Sequence, residues 1–537
     1  MKRQVSARTS RGRWLGFLAL LSAVWLVVRL ALQAFGGTGS VVEVARAVEG
    51  AFRGLGSVGG LRLPARSSGS LIERENRFPG TSAWTIPDLR AASGIEGYAD
   101  VVSAQASDRV RLYVSTRAAA FHVEAYRIGY YGGHGARLVW MSPWVPGEVQ
   151  SGPSMDPITH MVEARWRPSL AFVVQPDWPP GDYLLKLVGQ GGVQRYVPLT
   201  VRDDHSRAAL VIQNAVTTWE AYNAWGGYSL YHGPGGPGDF PHRSRVASFD
   251  RPYAGDGAGD FLENEFPLVF FAESRGLDLT YWTDIDLHKQ PDRLLSHRAL
   301  VTLGHDEYWS ATMRAGAEGA RDRGVNLAFL GANAVFRRIR LEPSPLGADR
   351  REVNYKLARE DPLYGRDDAE VTSDWREPPL PRPESALTGV LYECNPVRAD
   401  MRIVDPSAWV FDGTALRAGD RLAGVVGPEY DRVVPRKPTP SSVQVLSHSP
   451  LRCRSRSSFA DMSYYVAGSG AGVFATGTNW WICQLTASCP NGPSGQPDPR
   501  ILRITENVLR ALARGPAGRR YPSRPNLARL GISSSSP

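Results

Sequence analysis

The chain has 537 residues, 42% hydrophobic and 10% aromatic, which suits two or three domains with a large core and excludes a disordered chain. Its net charge of +9 is concentrated at the ends: residues 1–72 hold ten Lys or Arg against two Glu, and residues 515–537 hold four Arg and no acid. The body between them is slightly acidic, so the basic balance does not mark a nucleic-acid surface, and nucleic acid is discounted as a partner.

Met1 to Arg13 carries five basic residues and no acid, and Trp14 to Val28 is an uncharged run of fifteen. A basic flank before an apolar segment directs the far side of the chain out of the cytoplasm. Fifteen residues suit a signal-peptide core; counted on through Arg29, about twenty span a bilayer. The nearest small-x-small cleavage site, Ala45-Arg46-Ala47, is distant, which favours an uncleaved anchor over secretion. Residues 1–35 are therefore expected to be a basic flank and a transmembrane or signal segment. Residues 36–72 read as a linker, and the body is expected outside the cytoplasm. Cys394, Cys453, Cys483 and Cys489 suit that compartment. Cys483 and Cys489 would close a small loop, leaving Cys394 with Cys453, although the sequence admits three pairings.

Residues 73–204 read as a β-sandwich. Val110 to Val114, Phe121 to Ile128, Asp182 to Val188 and Val193 to Val201 alternate apolar and polar residues, and Gly- and Pro-rich breaks separate them. Tyr130 to Gly135 is an aromatic and glycine cluster, more often a shaped turn than a binding loop.

Residues 205–514 change texture. Short apolar strands are expected at Ala208 to Ile212, Leu277 to Thr283, Ala299 to Leu303, Val325 to Leu330 and Gly472 to Thr476. Helices are expected at Phe266 to Gly276, after Ser310, and at Arg500 to Leu512. Alternating strands and helices imply a mostly parallel sheet. Residues 343–440 interrupt it as an insertion that roofs the sheet edge, and 515–537 read as a flexible tail. In such sheets ligands bind beyond the carboxyl ends of the strands. There lie His305-Asp306-Glu307-Tyr308 after the third strand and Asn333 after the fourth. A long aromatic segment holding Trp219, Tyr222 and Asn223 follows the first strand and is expected to be a loop. Trp219, Tyr222, Asn223 and Asn333 are candidates for substrate binding. No Gly-x-Ser-x-Gly, His-Glu-x-x-His or phosphate loop is present, and no Cys follows Leu303. What remains is chemistry by oxygen ligands, phenolates and carboxylates, and hard oxygen donors suit an oxidised iron or another hard cation.

His305-Asp306-Glu307-Tyr308-Trp309-Ser310 is similar to the His-Pro-Glu-Tyr segment of the large (beta) subunit of N,N-dimethylformamidase. Trp219 to Asn223 resembles that family's aromatic Ala-Tyr-(Ala)-Asn segment. Tyr281-Trp282-Thr283-Asp284-Ile285-Asp286-Leu287-His288 resembles its Asp-Val-x-Thr-Asp-x-Asp-Leu-His segment, and Gly477 to Trp480 with the helix around Thr505 fits the domain's end. The resemblance covers about 206–512, and the preceding sandwich is similar to the all-β part these chains carry. It implies a glutamine-amidotransferase-like α/β fold and a mononuclear iron held by two Tyr and one Glu, acting on a small tertiary formamide. Tyr308 matches the motif Tyr and is the best ligand candidate. The second Tyr corresponds either to Tyr281 or to the segment around Phe266, which has no Tyr; Glu384 is preferred over Glu393. Asp306 stands where the family has Pro. If Tyr308 holds metal, Tyr308→Phe should cost little stability and abolish metal binding.

Two functions fit these residues. In the first the chain is a metal-dependent hydrolase of amide C–N bonds, with His305, Glu307 or Glu429 moving the proton. In the second it is an inert cell-surface module, anchored in the membrane, that grips a glycan or protein through its tryptophans. A companion subunit is left open.

Overall fold

The central sheet has seven strands, numbered here in chain order: β1 Leu210–Asn214, β2 Leu279–Thr283, β3 Ala299–Gly304, β4 Asn326–Gly331, β5 Gln444–Cys453, β6 Arg456–Val466 and β7 Gly472–Ala475. Their order across the sheet is β2-β1-β3-β4-β7-β6-β5. β2, β1, β3, β4 and β7 are mutually parallel, while β6 and β5 complete the edge antiparallel. The computed structural model describes residues 69–436, 438–487 and 495–533. The expected membrane segment, most of the linker and Cys489 lie outside the described residues. Among the described residues no helix is long and apolar enough to cross a membrane.

The parallel strands form where the sequence is continuously apolar, because a sheet covered on both faces leaves no polar face to alternate. Every residue of β1, β2, β3 and β4 is buried. Helix Phe266–Ser274 stops before Gly276, whose φ of 62° is the left-handed geometry of a helix end. Helix Ala311–Arg321 starts at Ser310, whose hydroxyl accepts from the Met313 N–H at 3.1 Å. Helix Pro499–Leu512 starts at Asp498, which accepts from the Arg500 N–H.

Three features depart from the sequence reading. The first part of the aromatic segment after β1 is a helix, Val216–Tyr222, rather than a loop, and all but its last residue are buried; from Asn223 onward the segment is irregular apart from a single turn at Trp225–Gly227. A short strand, Tyr308–Ser310, intervenes between the turn after β3 and its helix, pairing in parallel with Arg337–Ile339. The β5–β6 hairpin had no periodic signal because Ser447, Ser449, Ser458 and Ser463 are buried within it. Ser447 and Ser449 accept from the backbone N–H groups of Met462 and Arg402.

Residues 343–440 form small ladders. Arg337–Ser344 pairs with Gly347–Val353, Leu391–Cys394 with Tyr430–Arg432, and Ala399–Arg402 with Arg421–Val426. The disulfide Cys394–Cys453 ties this region to β5. Beyond 514 the chain stays packed: Tyr521 stacks on Trp409 at 4.6 Å, and Asn526 bonds the backbone of Val445.

Ahead of the central sheet, strands Ile95–Ala99, Arg109–Thr116 and Leu170–Val173 form one antiparallel sheet. A second, larger sheet is built on Ala120–Ile128, Gly181–Gly189 and Gln194–Val201. Val110, Leu112, Val123, Leu185 and Leu187 fill the space between the two. The second sheet is covered on its other face as well, where Tyr126, Leu184 and Tyr196 join the core of the central sheet. There Arg127 and Glu273, both fully buried, pair at 2.7 Å.

Candidate functional site

The site is built on the turn after β3. A Cβ on Gly304 would lie 2.6 Å from the Asn264 carbonyl oxygen, so the strand can end here only on glycine. Helix Val216–Tyr222 fixes the turn. The Thr218 hydroxyl accepts from the Glu307 N–H at 3.0 Å, and the Thr217 hydroxyl donates to the Tyr308 carbonyl at 2.8 Å. The four side chains of the turn thereby enter different surroundings.

His305 lines a cavity of about 430 Å³ beyond the carboxyl end of β3, with Tyr222, Asp260, Glu263, Asn395, Glu429 and Trp480 among its walls. Its Nε2 lies 3.2 Å from Glu429 and 3.4 Å from Glu307. Burial alone would lower the imidazole pKa, but the Glu429 and Glu307 carboxylates outweigh it and hold the ring well above the ordinary histidine value. Glu429 is oriented by Asn395, which donates at 2.6 Å, and by Asn479 at 3.3 Å.

Glu307 is buried and accepts from Tyr222 at 2.7 Å, Tyr231 at 2.9 Å and Arg337 at 3.1 Å. Burial would raise its pKa; His305, Arg337 and Lys356 outweigh that and hold the carboxyl far below the usual range. Tyr308 donates to Tyr231 at 2.8 Å and accepts from the Lys356 amine at 2.5 Å. Lys356 is 4% exposed, has a φ of 61°, and places Nζ 3.6 Å above the Tyr231 ring. Burial, then neighbouring Arg337, pushes its pKa well below the ordinary lysine value, while burial and Glu307 push the Tyr308 phenol up. Asp306 turns away from the cavity, accepting from Trp309 at 2.7 Å and Gln213 at 2.9 Å.

The structure thus brings together His305, Glu307, Glu429, Tyr222 and Tyr308. It separates the others. Trp219 is core, its Nε1–H bonded to Glu265 at 2.8 Å. Asn223 caps its helix and donates to the Pro252 carbonyl. Asn333 is buried, with its N–H on Asp431. Tyr281 donates to Glu273 at 2.6 Å, beside Arg127. Glu384 is held by Arg376 and the Tyr392 N–H. Tyr231, Arg337, Lys356, Asn395 and Asp260 were missed: each is an isolated polar residue in a stretch without periodicity. Only Asn479 stood in a segment singled out from the sequence.

These placements bear on the iron that the resemblance implies. Tyr308, Tyr281 and Glu384 share no partner, so that ligand set does not converge. Three phenols and Glu307 do meet at Tyr308, but other side chains already serve them: the Lys356 amine on Tyr308, and Arg337 and His305 on Glu307. With Tyr308 and Glu307 already bonded in this way, and the Arg337 and His305 charges beside Glu307, the residues present do not fit a Tyr-Tyr-Glu iron centre. Among the described residues no group of three His, Cys, Asp or Glu is placed to hold a metal.

The geometry defines a mixed α/β protein with an imidazole between two carboxylates at the end of its central sheet, an arrangement suited to proton transfer. The family model described as N,N-dimethylformamidase beta subunit-like, C-terminal, matches residues 122–493, and the chain belongs to that family. The match begins in the second sheet ahead of β1, so the family unit takes in most of the sandwich strands as well as the central sheet. No curated protein matches the chain.

Proposed function

We propose that the chain hydrolyses the C–N bond of small amides in the cavity lined by His305 and Glu429. The observation that carries this reading is the His305 ring, set 3.2 Å from Glu429 on the wall of a cavity of about 430 Å³. A volume of that order takes a small substrate. Glu429 is the base: it removes a proton from water as the oxygen attacks the amide carbon and the C=O electron pair moves onto oxygen. His305, held protonated by its carboxylates, donates to the developing oxyanion. When that pair returns and the C–N bond breaks, His305 gives its proton to the leaving nitrogen, and the proton on Glu429 passes back to the imidazole. One water and one amide become one acid and one amine. Proton transfer of this kind is worth about 10²–10⁴-fold. No step passes through a metal. The glutamine-amidotransferase-like fold belongs to the same proposal, supported by the parallel order of β2, β1, β3, β4 and β7.

The test is amine release from a panel of small amides by the purified protein. His305→Asn should lower kcat/KM about a hundredfold or more with the fold retained; an unchanged rate would refute the assignment.

A further inference from the structure

The reading above says what bond is cut; the cavity walls also select what carries it. Besides His305, the ionisable groups lining this cavity are Asp260, Glu263, Glu429 and the phenol of Tyr222; no Lys or Arg lines it. His305 is matched by Glu429 and Glu307, and Glu307 by Arg337. Asp260 feels the His305 charge but makes no ion pair with it. No hydrogen bond or ion pair ties its carboxylate to another described residue, and it is half-buried on the wall. Arg398, the cation closest to the Trp480 wall, is exposed, 5.7 Å over that ring, and does not line the cavity.

The other walls are Tyr222, Trp480, Asn264, Pro396 and Pro428. Trp480 is 8% exposed, and its Nε1–H has no hydrogen-bond partner. Aromatic faces with a carboxylate suit an alkylammonium group, which gains from both. They do not suit a metal ion, which needs converging ligands. Burial raises Asp260 to about 6, and the His305 charge restrains the rise.

We infer that the preferred substrates are amides bearing a protonated amine, with the ammonium group seated against Asp260 between Tyr222 and Trp480. This rests on the amidase reading and narrows it. A carboxylate-bearing amide meets Asp260 and Glu429 and is rejected; a neutral amide enters without the ion pair.

The test uses three matched acetamides with the full chain: N-(4-aminobutyl)acetamide, N-pentylacetamide and 4-acetamidobutanoate. kcat/KM should favour the cationic substrate over the neutral one at least tenfold, with the anionic one slowest. The preference should shrink in high salt. Asp260→Asn should reduce the cationic-to-neutral ratio about tenfold, and Asp260→Glu should keep most of it. Binding of pentylammonium, followed by calorimetry, gives a readout free of turnover and should weaken about tenfold in Asp260→Asn. Hydrolysis with no charge preference would overturn the inference and leave the amidase reading standing. Pentylammonium binding that depends on Asp260, with no amide hydrolysed, would support the cation seat and refute the amidase. Magnesium or calcium binding more tightly than pentylammonium at this carboxylate would overturn the inference in favour of a metal site.

Discussion

Tyr308→Phe tests whether the buried Lys356 amine depends on Tyr308 as its hydrogen-bond partner. The sequence led to the expectation that removing one hydroxyl would cost little, since the ring stays packed. The structure predicts otherwise. The Lys356 amine has one hydrogen-bond partner, the Tyr308 oxygen at 2.5 Å, and lies 4% exposed. Deleting that oxygen leaves a buried amine unsatisfied, which costs about 1–3 kcal/mol. Tyr231 loses little, because it still donates to Glu307. Lys356→Met alone should cost about 1 kcal/mol, since Tyr308 keeps its bond to Tyr231. With both partners gone nothing is stranded, so Tyr308→Phe/Lys356→Met should resemble Lys356→Met. The coupling is then about 1–3 kcal/mol, the whole cost of Tyr308→Phe. Urea unfolding followed by tryptophan fluorescence measures all four proteins. Tyr308→Phe within about 0.5 kcal/mol of wild type, or strict additivity in the double variant, would refute the reasoning.

Further outcomes follow from the same geometry. Burial raises Asp306 to about 7, above its unfolded value, so its contribution to stability is present at acid pH and lost as pH rises from about 4 through 7. Gln213 Oε1 has no partner, so a reversed amide can accept from the neutral carboxyl or from Asn. Asp306→Asn should therefore fold and flatten the fall in melting temperature between pH 5 and 8; parallel curves would contradict this. Non-reducing peptide mapping should recover Cys394 joined to Cys453. Breaking this link, which spans 59 residues, should cost up to about 4 kcal/mol by loop closure, read from chemical denaturation. Iron reconstitution should give a colourless protein, because Lys356, Arg337 and His305 already serve the oxygen donors; a visible phenolate-to-iron band lost in Tyr308→Phe would overturn that account.

The parallel strands were legible because a sheet covered on both faces needs unbroken apolar runs, and Leu210, Val301 and Leu327 lie in such runs. Ser310 announced its helix by capping it. The β5–β6 hairpin was hidden by buried serines, of which Ser447 and Ser449 satisfy backbone groups instead of facing water. His305, Glu307 and Tyr308 could be placed at the sheet end because they adjoin a strand terminus. Glu429 could be named but not located, since what brings it to His305 is a long-range ladder between Leu391–Cys394 and Tyr430–Arg432. Lys356 and Tyr231 could not be read at all. Their roles come from contacts with Tyr308 across 48 and 77 positions of chain. Tyr281 illustrates the converse: a residue in a recognisable segment whose phenol is committed to Glu273 beneath the second sheet.

The central claim is that His305 and Glu429 cut an amide bond without a metal. Its most direct test is proton NMR of amine release from N-(4-aminobutyl)acetamide and N,N-dimethylformamide, with a chelator present, by wild type and Glu429→Gln. The account predicts amine release by the wild type, undiminished by the chelator, on at least one of the two amides, and a loss of about a hundredfold or more in the variant. Activity that disappears with the chelator, or that Glu429→Gln retains in full, would contradict it.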